Sequence, residues 1–245
     1  MEGCSARGSK KETQYMIKNL NQLYTKYGTD KGDIGDHEDL FRNTGHSFGN
    51  FYQPFFEKYI GKKPDILEIG VYKGMSMLAH DEFFDSDCNI IGIDVYNGLE
   101  FDINKHKNMA LILTGSESDE TLSMLGDKKF DIIIDDAIHT YDNQFFNILH
   151  YSKMLKPGGI YILEDLQCNV EPRYISNPQF GLDNSPLLTL LNHKKSDLIT
   201  DEEFDYLLNN ITSMLLYSVP CEPDNYDSKM SQTSMTAVIT FKNNG

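Results

Sequence analysis

Two periodicities alternate along this chain. Short apolar runs recur at DILEIG (65–70), CNIIGIDV (88–95), MALILTG (109–115), FDIIIDD (130–136) and IYILEDL (160–166). Runs of this length, rich in Ile, Leu and Val and bounded by turn residues, are expected of strands buried on both faces. Between them lie helical stretches, and Phe145, Phe146, Leu149 and Met154 form the core face of one of them. Repeated strand–helix–strand order predicts βαβ units with parallel neighbouring strands. Lys156-Pro157-Gly158-Gly159 reads as the turn before the fifth run, and helical segments are expected around Pro186–Lys195 and Asp201–Leu208. The chain closes on ITSMLLYSVP (211–220) and SMTAVITFK (234–242), joined by a polar segment. That pair predicts an antiparallel hairpin, so the expected fold is a doubly wound α/β sheet of seven strands.

Upstream of the sheet, Met16, Leu20, Leu23, Tyr24 and Tyr27 recur at helical spacing from Thr13 onward, and Gly28 stands where the helix should stop. A Gly- and Asp-rich loop follows, then the aromatic run Phe48–Phe56, which reads as a helix with Tyr52, Phe55, Phe56 and Tyr59 in the core. Residues 1–12 are small and polar and are expected to be disordered. The organisation is thus a polar start, an N-terminal helical lid segment at 13–60 and the main domain at 61–245. Residues 167–185 form a loop of the length expected of a substrate lid.

Charge narrows the partners. A formal net charge of -15 and a pI near 4.8 disfavour nucleic acid and an anionic membrane, since both require clustered cations. Four cysteines, at 4, 88, 168 and 221, show neither CxxC pairing nor zinc spacing. No apolar run approaches the roughly 18 residues that span a bilayer, and Met1–Lys11 lacks a signal-peptide core, so a cytoplasmic address is expected.

The chemistry gathers at the strand tips. In a parallel sheet the ends carrying Asp135-Asp136 and Glu164-Asp165 lie side by side, about 4.8 Å apart, at the edge where open α/β sheets bind ligands. No Lys or Arg stands in those motifs, so the converging carboxylates would repel one another unless a hard divalent cation joined them. Asp135 is expected to be a supporting acid, because alternate strand residues face opposite sides. His139 follows Asp136 by three residues at the expected helix start and can take a hydroxyl proton near neutral pH. At the first strand tip Glu68, Gly70 and Gly74 frame a GxxxG turn in which Gly70 permits a tight bend and Gly74 a close backbone approach to ligand. Asp94, at the second tip, is placed to accept from ribose hydroxyls. The turn lacks the third glycine of a pyrophosphate site, which favours a nucleoside without phosphates, and a sulfonium or amino group suits the acidic edge.

Taken in order, ILEIGVYKG, IIGIDVYN, FDIIIDDAIH, LKPGG and YILEDL resemble the Rossmann-like class I S-adenosylmethionine-dependent methyltransferases. DDAIH with YILEDL, and upstream YGTDKG with HSFGNFY, resemble in particular the metal-dependent macrolide sugar O-methyltransferases. That resemblance covers roughly residues 24–168. It implies Mg2+ at Asp136, Glu164 and Asp165, with Asp136 also serving catalysis and His139 as general base. It further implies an adenosylmethionine pocket lined by Glu68, Gly70, Tyr72, Gly74, Asp94, Ser116 and Asp135. Thr29, Asp30 and Lys31 would close over the methionine end or the substrate. Relatives carry an Asp where this chain has Ser116, so the adenine contact there departs from the family.

The implied function is methyl transfer to the hydroxyl of a small sugar-containing substrate, by an enzyme whose relatives commonly assemble into homo-oligomers. Three other readings compete: O-methylation of a catechol-like phenol through the same vicinal oxygens, a non-catalytic nucleoside-binding module, and a nicotinamide oxidoreductase.

Overall fold

A computed structural model describes residues 17–33, 45–169, 182–221 and 232–242. Two N-terminal helices, α1 (Leu20–Tyr27) and α2 (Phe48–Glu57), precede β1 (Asp65–Ile69), α3 (Met75–Phe83), β2 (Asn89–Asp94) and β3 (Met109–Leu113). Then come α4 (Asp119–Leu125), β4 (Phe130–Asp135), α5 (Tyr141–Tyr151) and β5 (Leu155–Leu163). The chain ends with α6 (Pro186–Asn192), α7 (Asp201–Asn210), β6 (Ile211–Cys221) and β7 (Gln232–Phe241). The sheet order is β3-β2-β1-β4-β5-β7-β6. Strands β1 to β5 are parallel and β7 runs antiparallel to both its neighbours, so the expected seven strands and closing hairpin are present.

Alternation along the strands divides the core into two layers. Ile66, Ile90, Ile132 and Ile160 face one side with Leu20, Tyr24, Tyr52 and Phe56 of the N-terminal helices. Leu67, Ile133 and Tyr161 face the other with Phe145, Ile148 and Leu149 of α5. Each fully buried large side chain contributes roughly 1.5–3 kcal/mol, so both layers are strong anchors. In α2, Phe48, Tyr52 and Phe56 recur every fourth residue, are fully buried, and hold the N-terminal segment to the sheet.

Three boundaries differ from expectation. Helix α1 begins at Leu20 because the Asn19 side chain caps it, accepting from Gln22 N at 2.8 Å; residues 13–16 lie outside the described residues. The stretch VYKGMSMLAHDEFF (71–84), whose composition predicts a helix throughout, becomes helical only at Met75, and Val71–Gly74 form a turn. Lys156–Gly159 continue β5 instead of turning, with a register shift opposite Phe130–Ile132. Lys156 Nζ bonds both Asp65 Oδ2 (2.5 Å) and Asp131 Oδ2 (2.6 Å), which draws this stretch alongside β1 and β4. The expected disorder at 1–12 and most of the expected lid at 167–185 also fall outside the described residues. Among the described residues no helix is long and apolar enough to cross a membrane.

Candidate active site

Register places the tips. Ile69 pairs with Asp135 and Asp135 with Leu163, so Asp136 and Glu164 stand one residue beyond adjacent strand ends. Asp136 N bonds Ile69 O at 2.8 Å, Glu164 N bonds Asp135 O at 2.9 Å and Gly70 N bonds Ile93 O at 2.8 Å. The ladder thus extends past the strands and fixes their ends against one another. Above them opens a cavity of about 520 Å³ that runs from Glu68, Gly70 and Asp94 to Asp136, His139 and Asp165. Tyr72, His139 and Asp165 on its wall hold φ values of 47°, 58° and 52°. Left-handed backbone is uncommon for such residues and collects at functional sites.

Glu68 is fully buried. Ser76 Oγ donates to its Oε1 at 2.5 Å, while Oε2 lies 3.6 Å from His80 Nδ1. His80 Nε2 is 2.7 Å from the Tyr24 hydroxyl. Burial pushes Glu68 up to about 7 and His80 down to about 3, so the imidazole is neutral and links the N-terminal helix to the cavity floor. Asp94 lines the cavity, and its carboxylate accepts from the amides of Val71 (2.9 Å), Tyr72 (2.8 Å) and Tyr96 (2.8 Å). Two of its roughly four acceptor positions therefore hold the glycine turn and a third holds the segment after β2, leaving one for a ribose hydroxyl. Ser116 also lines the cavity; its Oγ accepts from Asn143 Nδ2 at 3.0 Å. Thr29 and Lys31 reach the same cavity from the N-terminal segment.

Two of the expected cofactor contacts are corrected. Asp135 faces away from the cavity, as strand alternation requires once Asp136 faces it. Tyr161 Oη donates to its Oδ2 at 2.7 Å and Asn147 Nδ2 to its Oδ1 at 2.9 Å. Gly74 does not border the cavity either. A Cβ there would meet Leu99 Cδ2 at 2.5 Å and Phe101 Cε1 at 2.6 Å, so its close approach is to side chains of this chain.

The expectation that no lysine attends the carboxylates is also overturned. Lys31, only 2% exposed, ion-pairs Asp136 Oδ2 and reaches Glu164 Oε2 at 2.7 Å. Burial opposes its charge, but Asp136 and Glu164 outweigh it and hold the ammonium well above its ordinary pKa. Burial pushes Glu164 well up, with Lys31 pulling it back. Asp136, His139 and Asp165 each offer one ligand atom within 4.8 Å of the others. His139 Nε2 lies 3.2 Å from Asp165 Oδ2 and 3.8 Å from Asp136 Oδ1. Glu164 stands beside this set with its Oε1 buried and unpartnered. Three carboxylates, one of them carrying a buried spare oxygen, suit a hard, oxygen-seeking divalent ion.

Comparison with known proteins follows this geometry. Residues 67–166 match the family model described as a methyltransferase domain. That match spans the strands and turns that build the cavity floor. The mycinamicin VI 2''-O-methyltransferase of Micromonospora griseorubida is 25% identical over 190 residues, covering 70% of this chain and 46% of that protein. The structure of MycE methyltransferase with Mg, SAH and mycinamycin VI matches with a TM-score of 0.60 at 21% identity, covering 92% of this chain and 55% of that one. MycE with Mg and SAH in a first crystal form gives 0.62 at the same identity, covering 93% and 56%. The chain spans about half the length of these relatives. They belong to the group whose motifs residues 24–168 resemble.

Asn143, Glu117 and the Tyr24–His80 link went unread in the sequence. Asn143 and Asn147 had a signal: both are polar and one turn apart on the buried face of α5, where a packed helix must give each a partner.

One prediction arises from Asp135. Burial pushes its pKa up to about 6, against roughly 4 in the unfolded chain. The fold disfavours its charged form, so its contribution to stability is complete below about pH 4 and is lost as pH rises through about 6. Glu68 acts in the same direction up to about 7. Asp135→Asn should therefore flatten the fall in stability between pH 5 and 7.5 by about 1 kcal/mol, read as a smaller drop in Tm. Melting curves at the two pH values test this, and equal slopes for variant and wild type would overturn it.

Proposed function

We propose that this protein is an S-adenosylmethionine-dependent, Mg2+-assisted O-methyltransferase acting on the hydroxyl of a small sugar-containing substrate. Residues 61–245 would be its catalytic unit, and the 13–60 segment its cover. The single observation that carries the reading is the continuity of the cavity. One wall offers the buried Glu68 and the Gly70 turn for a nucleoside, and the other brings Asp136, His139 and Asp165 within 4.8 Å of one another with Glu164 beside them. The relatives described above support the choice of donor, metal and acceptor.

The donor when bound supplies an electrophilic methyl group, and Mg2+ held by Asp136, Asp165 and Glu164 supplies orientation and acidity to the acceptor hydroxyl. The chain's own part is positioning and one proton transfer. Asp94 keeps the glycine turn rigid through the Val71 and Tyr72 amides, which fixes the floor on which the nucleoside would lie. His139 Nε2, aimed at the same pocket, takes the hydroxyl proton as the oxygen attacks the methyl carbon, and Asp165 at 3.2 Å stabilises the imidazolium that results. Orientation does most of the work, since the sulfonium is already a good leaving group.

Assay of methyl transfer to sugar and catechol acceptors, with and without Mg2+, tests the reading. Sugar turnover that requires Mg2+ is expected, and turnover of phenols alone would move the acceptor class. His139→Ala should retain S-adenosylhomocysteine and Mg2+ binding yet slow chemistry by roughly 10² to 10⁴ fold. Full activity of that variant at neutral pH would move the base elsewhere.

A further inference from the structure

Lys31 lies where repulsion between the carboxylates is greatest, and it is delivered there by a braced segment. His46 N bonds Asp30 O at 2.6 Å, Ser47 N bonds Gly32 O at 2.9 Å and Gly49 N bonds Lys31 O at 3.2 Å, so the start of α2 holds the backbone on both sides of the residue. Its side chain is 3% exposed and lies at the wall of the cavity.

The ammonium divides the two carboxylates between two uses. It takes Oδ2 of Asp136 and leaves Oδ1, which faces His139 at 3.8 Å. It takes Oε2 of Glu164 and leaves Oε1 buried without a partner. Each acid therefore keeps one oxygen for a second cation. The charges agree with this division: with all three acids ionised, Asp136, Glu164 and Asp165 would offer three negative charges, which one ammonium and one divalent ion would cancel.

We propose that Lys31 is a resident second cation of the site, a positioning residue that stays on Asp136 and Glu164 when a divalent ion binds their free oxygens. This rests on the metal reading given above. A consequence is that the N-terminal segment and the metal ligands form one unit, so the ion closes over a cavity whose cover is already anchored.

Two measurements on the full chain test the proposal. Amine acylation read by mass spectrometry should leave Lys31 unmodified without Mg2+ and at saturating Mg2+, while Lys105, with a 79% exposed side chain, reacts in both. A severalfold rise in Lys31 acylation on adding Mg2+ would show that the ion displaces it, and would overturn the proposal. Calorimetry with Mg2+ alone should show Lys31→Met binding the ion roughly tenfold or more tightly than wild type, because a neighbouring positive charge has gone. An unchanged affinity would mean that Lys31 is only a loop anchor. Binding by the variant but not by wild type would make Lys31 a substitute for the ion and sink the proposal. Absence of binding in both would remove the metal reading itself, a failure separate from displacement.

Discussion

Asp136→Ala is expected to abolish Mg2+ binding and methyl transfer together, while S-adenosylhomocysteine still binds. On the reading proposed above Asp136 would serve both cations: Oδ2 pairs with Lys31, and Oδ1 faces His139 within the set that also includes Asp165. Without it the ion loses a ligand shared between two strand tips, and the acceptor hydroxyl loses its orientation. Loss of several kcal/mol of transition-state stabilisation corresponds to a fall in kcat/KM of about three orders of magnitude or more. Stability should fall too, because Lys31 would keep only Glu164; breaking a buried pair costs about 3–5 kcal/mol, and the 23% exposure of the Asp136 side chain puts the loss at or below the lower end. Asp136→Asn keeps the shape and separates misfolding from lost ligation. The cofactor contacts near Glu68 and Asp94 lie at the other end of the cavity and should be spared. Mg2+ affinity or turnover within tenfold of wild type in a folded variant would refute the assignment.

Gly70→Ala should be the most damaging single methyl addition at this edge of the sheet. Gly70 has a φ of +85°, and a Cβ would stand 2.0 Å from Asp136 O and 2.7 Å from its carbonyl carbon. That carbonyl has little freedom to retreat, because Asp136 N is bonded to Ile69 O at 2.8 Å and the next rung binds Glu164 to Asp135. Strain from the backbone conformation and from overlap together amount to about 2–5 kcal/mol. Calorimetry should show a Tm lower by roughly 5 °C or more. The same displacement moves Asp136, so S-adenosylhomocysteine and Mg2+ affinities should weaken together. Gly158→Ala is the control. It shares a positive φ of +78° but meets nothing within 4 Å, so only the conformational penalty of roughly 1 kcal/mol applies. Equal melting temperatures for the two variants would show that close packing of strand tips does not constrain Gly70.

Much of this was readable from residue order because strands and their ends are local features. Apolar runs such as Ile132–Ile134 and Ile160–Leu163 determine where the sheet lies, and the acids that end them determine which side chains reach its edge. Asp136, Glu164, Asp165 and His139 needed only that logic. Boundaries were less secure: Lys156-Pro157-Gly158-Gly159 has turn composition, yet ion pairs from Lys156 to Asp65 and Asp131 hold it as strand. Composition there was outweighed by contacts from elsewhere in the chain.

What the sequence determined alone is the succession of strands, the carboxylates at their tips and the glycine turn after the first of them. Tertiary structure decided which of two adjacent acids faces the cavity: period-two alternation separates Asp135 from Asp136 without saying which is inward. It also decided that Gly74 meets Leu99 and Phe101 instead of a ligand, and that Lys31 shares the carboxylates. Lys31 is 105 residues from Asp136 and 133 from Glu164. No local pattern encodes a contact across that separation; it exists because α1 and α2 bury their aromatic faces on the sheet and bring residues 29–31 to its edge.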